Sequence, residues 1–146
     1  MKLIELMTNY IHNKKYDEYC ELCENNRLEA IECYKSINPD YYQNTILNLH
    51  NPNSPYNTYI KKAEDLKNQG NSKDELELLE AAISNNIDTP GAYKRASVIY
   101  SKDKKYLEAI TVIEKWFENG NWTIPNCTNM TKKLLLRMKM LKDKMV

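Results

Sequence analysis

The chain has 146 residues, 42% of them hydrophobic and 28% charged, with 3 glycines, 5 prolines and a formal net charge of +1. That length gives one domain with a sizeable core, and so few chain breakers favour long regular elements over disorder or a collagen-like repeat. A balanced charge supplies no global field to recruit nucleic acid or a membrane surface, and no run approaches the ~20 apolar residues of a membrane span.

Met1 to Asn53 reads as helical. Glu5 interrupts the first apolar stretch and no small-residue cleavage pattern follows, so the start does not read as a signal peptide. The expected compartment is therefore the cytoplasm. Leu3, Leu6, Met7 and Tyr10 form one stripe, Asn13-Lys14-Lys15 breaks it, and Tyr16, Tyr19, Cys20 and Cys23 form the next. Leu28 to Ile37 and Tyr41 to Leu49 are two further short helices on either side of Asn38-Pro39. His50 to Pro55 is a turn-rich connector.

Cys20-Glu21-Leu22-Cys23 has the spacing of half a zinc or redox motif. Cys33, Cys127, His12 and His50 supply no second pair of ligands, and Asp17, Glu18, Glu21 and Glu24 should raise the thiol pKa values rather than lower them. Two thiols on the apolar stripe beside Tyr16 and Tyr19 read as packing groups.

From residue 54 the pattern sharpens. Ser54-Pro55 opens a helix carrying Tyr59, Ala63 and Leu66, and Gly70 closes it. Ser72 with Glu75 reads as a capping box for a helix that buries Leu76, Leu79, Ala82 and Ile83. Thr89-Pro90 starts a helix with Tyr93, Ala96, Ile99 and Tyr100 on one face. Asp103 is expected to cap the next helix, with Tyr106, Ala109, Ile110, Ile113 and Trp116-Phe117, and Asn119-Gly120 stops it. Two amphipathic helices joined by a few polar residues pack antiparallel, so residues 54–120 predict two helical hairpins. Tyr59 to Tyr93 is a step of 34 residues, the period of tetratricopeptide repeats.

The stretch Ala92 to Tyr100 followed by Tyr106-Leu107-Glu108-Ala109-Ile110 resembles such a repeat. It has an early aromatic, a small residue four positions on, a tyrosine near the end of the first helix and a Tyr-x-x-Ala pair in the second. Lys104 stands where that family usually has glycine, and Trp116 where it usually has a small residue. The earlier hairpin keeps Gly70 and Ala82 but has Glu75 at the usual alanine. Tyr10 and Tyr16 have the separation of Tyr100 and Tyr106, so residues 1–53 resemble a third, degenerate hairpin. The predicted fold is all-α: antiparallel hairpins stacked as a short TPR-like superhelix, closed by a C-terminal capping helix. In residues 121–146, an irregular Trp122–Asn129 loop leads to that helix, roughly Thr131 to Met145.

The last helix mixes Lys132, Lys133, Arg137, Lys139, Lys142 and Lys144 with Leu134, Leu135, Met138, Leu141 and Met145. A cap with a solvated lysine face, a partner-binding helix, and a contact to membrane or nucleic acid are all compatible with that pattern. The motif Asn-x-Thr occurs at Asn121, Asn126 and Asn129, and without export the match is accidental. Eleven tyrosines stand against one phenylalanine, and Tyr59, Tyr93, Tyr100 and Tyr106 fall at positions that fill the space between helices.

No glycine-rich phosphate loop, nucleophile elbow, His-Glu-x-x-His or dinucleotide fingerprint occurs, and no cofactor or enzymatic activity is expected. The resemblance instead implies a non-catalytic interaction or scaffold module that takes a peptide or partner helix on a concave wall. The groove-facing residues it implies are Ile60, Glu64, Lys67, Asn68, Lys94, Val98, Ser101 and Lys102. That set lacks the Lys/Asn arrangement with which chaperone-binding relatives clamp a terminal carboxylate. The alternatives are a homo-oligomer or assembly subunit using the last helix, and a weak nucleic-acid binder through its lysines.

Overall fold

In a computed structural model, which describes residues 3–37, 55–87, 89–123 and 128–145, the chain is all-helical, with no strand among the described residues. At 34, 35, 37, 55–58, 60 and 128 the description covers the backbone alone. The helices are α1 (Leu3–His12), α2 (Tyr16–Asn25), α3 (Arg27–Ile37), α4 (Pro55–Asn68), α5 (Ser72–Ser84), α6 (Pro90–Lys102), α7 (Tyr106–Glu118) and α8 (Thr128–Lys144). A 3₁₀ turn, Asn121–Thr123, follows α7. The expected helix Tyr41–Leu49 and most of the His50–Pro55 connector lie outside the described residues, as do Cys127 and the side chain of Tyr56.

Among the described residues, one device reverses the chain four times. Lys14, Gly70, Asn86 and Lys104 each adopt a left-handed backbone, with φ between 55° and 71°. The N–H of the following residue then reaches back five positions: Lys15 to the Tyr10 carbonyl (2.7 Å), Asn71 to Leu66 (3.0 Å), Ile87 to Ala82 (3.0 Å) and Lys105 to Tyr100 (2.9 Å). This is the Schellman arrangement, which satisfies the orphan carbonyls of a helix end and turns the chain sharply.

The 34-residue step is present in the element bounds. Asn68 and Lys102, Ser72 and Tyr106, and Ser84 and Glu118 are each 34 residues apart. The α4–α5 and α6–α7 hairpins therefore have matching registers, and α5 packs on α6 to join them.

Three expected caps are corrected. The N-cap of α5 is Asn71, not Ser72: its side chain accepts the Asp74 N–H (3.2 Å), and its Nδ2 donates to the Asp74 carboxylate (2.7 Å). That closes a reciprocal box one residue earlier than the sequence suggested and frees Glu75 for a different role. Asp103 ends α6 instead of starting α7, whose cap position is Lys105. Thr89 does precede α6, with Pro90 in the first turn, but its hydroxyl makes no capping bond. The last helix begins at Thr128, three residues before the expected start.

The core is centred on Trp116. Its ring is fully buried, meets Tyr93 edge-on at 5.2 Å between centroids, and donates from Nε1 to the Thr131 hydroxyl (3.0 Å). Tyr93 donates to the Ile87 carbonyl (2.6 Å), and Asn121 Nδ2 bonds both Asn86 Oδ1 (3.0 Å) and the Tyr93 hydroxyl (3.2 Å). One buried cluster thus ties α6, α7, the α5–α6 turn, the 3₁₀ turn and α8. It also spends the amide nitrogen of Asn121, whose burial removes it as a glycosylation acceptor.

The first three helices pack on one another and then on the far end of the chain. Here α2 touches α8, α3 touches the 3₁₀ turn, Tyr19 meets Trp122 edge-on at 6.2 Å, and Tyr16 lies 5.8 Å from Phe117. On the first stripe, Met7 is buried and Leu3, Leu6 and Tyr10 half-buried, and Ile11, outside the expected stripe, is buried too. On the second, Tyr19 and Cys23 are buried and Tyr16 and Cys20 half-buried.

A left-handed turn costs a lysine more than a glycine, because the Cβ crowds the carbonyl. Lys104→Gly should therefore raise stability by about 0.5–1 kcal/mol in urea denaturation, and Gly70→Lys should lower it by a similar amount.

Candidate functional site

The two hairpins share a register but differ at one position. Ala82 holds in α5 the place that Trp116 holds in α7. The indole packs between α6, α7 and α8, whereas alanine fills little of the corresponding space. An open cleft of about 240 Å³, with Ala82 among its lining residues, lies where α4, α5 and α6 meet. Tyr59 and Ala63 line it from α4, Leu78, Leu79 and Ala82 from α5, and Ala92 from α6.

Charged side chains surround this apolar floor. Glu64 and Lys67 stand on the α4 side, exposed to solvent. Glu75 and Arg95 form the opposite wall, where the guanidinium grips the carboxylate with Nε (2.6 Å) and Nη2 (3.0 Å). The Glu75 residue is only 1% exposed, and the Arg95 side chain 23%. A carboxylate taken out of water is retained only with a close, hydrogen-bonded cation, and a two-pronged arginine is the best available one. Above it, Tyr100 donates to Glu80 (2.7 Å) as a second polar rung between α5 and α6. Burial first, and then Glu80, push the Tyr100 pKa up to about 12.

Of the groove residues implied by the tetratricopeptide resemblance, Glu64 and Lys67 are in the cleft. Asn68 is exposed at the end of α4, and the side chain of Ile60 lies outside the described residues. Lys94 and Lys102 are exposed on α6, and Val98 is half-buried there. Ser101 is engaged within the chain: it donates to the Ser97 carbonyl (2.7 Å) and accepts from Arg137 Nη2 (3.1 Å), while Arg137 Nε reaches the Ser97 hydroxyl (2.7 Å).

Sequence reasoning missed Glu75 and Arg95. The signal was there: Glu75 falls in line with Leu79, Ala82 and Ile83 on the buried stripe of α5, where a carboxylate needs a partner.

The basic face of α8 is largely spent inside the molecule. Lys132 pairs with Glu24, and Lys139 with Asp17 at 3.0 Å. Lys142 and Lys144 lie over the rings of Tyr16 and Tyr106 at 5.4 and 5.8 Å. These contacts make α8 a clamp between α2 and α7 more than a field directed at solvent. No three His, Cys, Asp or Glu side chains among the described residues converge as metal ligands. Cys20, Cys23 and Cys33 are free thiols. Burial is the chief cause that lifts Cys20 and Cys23 to about 11, with Lys132 pulling the other way on both. The direction is the one expected from the neighbouring carboxylates, but the main cause is desolvation.

No protein-family model matches the chain, and no curated protein or solved structure is similar enough to it to count as a match. The class that the fold defines is an all-α protein, with an open apolar cleft where α4, α5 and α6 meet.

Two outcomes follow from this geometry. Arg95→Ala leaves a buried carboxylate unpaired and should cost about 3–5 kcal/mol, whereas Glu75→Leu with Arg95→Met should be far milder, as chemical denaturation of the three proteins would show. Cys20, Cys23 and Tyr100 hold their protons more tightly folded than unfolded, so their contribution is intact below pH 9. Stability should then fall as the pH climbs from about 9 through 12, and Cys20→Ala/Cys23→Ala should flatten the 9–11 part of that slope in pH-dependent thermal melts.

Proposed function

We propose that this chain is a non-catalytic interaction or scaffold module, built of tetratricopeptide-like hairpins, that receives a peptide or partner helix at the α4–α5–α6 joint. The observation that carries the reading is the open cleft of about 240 Å³ lined by Ala82, which stands at the register position that Trp116 occupies one hairpin later. A cleft with an apolar floor and a few fixed charges at its edge is what an anchor side chain of a partner fits. The matching registers and the repeated turn support the repeat reading, in which the first helices α4 and α6 form the concave wall and Lys94, Val98 and Lys102 extend it beyond the cleft.

A cytoplasmic location suits the three free thiols among the described residues, which a reducing compartment preserves. A second reading is self-assembly, or membership of a larger assembly, through α8. It is favoured by Leu136 and Met140, large apolar residues left 57% and 42% exposed on that helix. The nucleic-acid reading has less behind it, because five of the six basic side chains of α8 already have partners within the chain.

Ala82→Trp tests the main reading by filling the cleft from within. In quantitative affinity capture beside wild type, the captured partner should fall at least tenfold with an unchanged helical circular-dichroism spectrum. Lys94→Glu/Lys102→Glu should weaken capture less. Undiminished capture by a folded Ala82→Trp variant would remove the cleft from the function.

A further inference from the structure

Helix α8 has two faces with different chemistry. Thr131, Leu134, Leu135, Met138 and Leu141 are buried against the rest of the chain. Opposite them, Asn129, Lys133, Leu136, Met140 and Asp143 are all exposed. Their spacings run four, three, four, three, which is the seam of a two-stranded coiled coil. The seam has an apolar centre, Leu136 and Met140, with a cation three residues before it and an anion three residues after it.

We propose that this seam is the contact between two copies of the chain, paired antiparallel about a twofold axis at the level of Met138; the inference rests on the self-assembly reading above and adds its orientation and register. In that pairing Leu136 of one copy meets Met140 of the other, twice. Lys133 of one copy meets Asp143 of the other, also twice. Such contacts are isologous and close on themselves, so they give a dimer and not a filament. A parallel pairing would set Lys133 against Lys133 and Asp143 against Asp143, and like charges at a seam are repulsive. The helix dipoles favour the antiparallel choice as well. Charge complementarity therefore selects a second copy in one orientation.

The seam is short. A 17-residue helix is about 25 Å long, and one pair of such helices buries well under the ~1,200 Å² of a standard interface. Association is accordingly expected in the range of about 10–1,000 μM.

Sedimentation equilibrium on the full chain between about 5 μM and 1 mM tests this. Wild type should show a monomer–dimer equilibrium, and Leu136→Lys should abolish it. Lys133→Asp and Asp143→Lys should each raise the dissociation constant at least tenfold, because like charges then meet at both ends. The double variant Lys133→Asp/Asp143→Lys should restore it to within about threefold of wild type. All three positions are exposed, so helical content should not change. A wild type that stays monomeric at 1 mM, or a dimer untouched by Leu136→Lys, would overturn both the register and self-assembly through α8. A dimer lost in Leu136→Lys but indifferent to the charge changes would overturn the antiparallel register alone.

Discussion

Everything in this fold depends on how the chain reverses. Four times among the described residues, a helix ends in a residue with a left-handed backbone, and the next N–H bonds the carbonyl five residues back. Because this turn is so short, the two flanking helices must lie side by side and antiparallel, and their apolar stripes must meet. Three of the four turn residues are Lys14, Asn86 and Lys104, which lack glycine's freedom, so packing has to hold them there. For Lys104 the packing is close at hand: Tyr100, whose carbonyl takes the turn's hydrogen bond, is itself fixed by its hydroxyl on Glu80. Turn and core therefore stabilise one another, and neither is specified alone.

Within that frame the two central hairpins diverge by what they put at one register position. Trp116 makes the second hairpin dense, since a single ring contacts Tyr93 edge-on and reaches Thr131 on α8. Ala82 makes the first one open, and the joint is held by the Glu75–Arg95 pair instead of by apolar bulk. An ion pair of this kind is a weak stabiliser compared with well-packed hydrophobic residues, because each charge has been stripped of water. The α4–α5 hairpin should accordingly be the softer of the two.

Much of this was legible in the sequence. Proline at residue 90, glycine at residue 70 and the tyrosine–alanine spacing define the hairpins, and the turn at Lys104 follows from its place between two amphipathic stripes. The caps at Ser72 and Asp103 were misread for a local reason: Asn71 and Lys105 sit one and two residues away, and side-chain geometry, not residue type, decides which one enters the helix. The Glu75–Arg95 pair and the docking of α2 and α3 on α8 and the 3₁₀ turn were not legible. Each joins residues distant along the chain, and periodicity reports only which face of a helix is buried, never against what.

The location of the first three helices bears on the cleft. In a linear array of repeats each unit packs on its sequence neighbour, so an N-terminal unit would be expected against α4. Instead Tyr19 packs on Trp122, and Asp17 and Glu24 engage the lysines of α8. The N-terminal helices thus reinforce the part of the fold that Trp116 already makes dense. The α4–α5 hairpin makes its principal contact through α5 on α6, and it is there that the unfilled space and the buried charge pair coincide. Either feature by itself could be removed at little cost: a larger side chain at residue 82 would fill the space, and apolar residues at 75 and 95 would replace the pair. Two departures from optimal packing thus coincide on one wall, in the least supported hairpin; on the reading proposed above, the energy withheld from the fold is what a complex would recover.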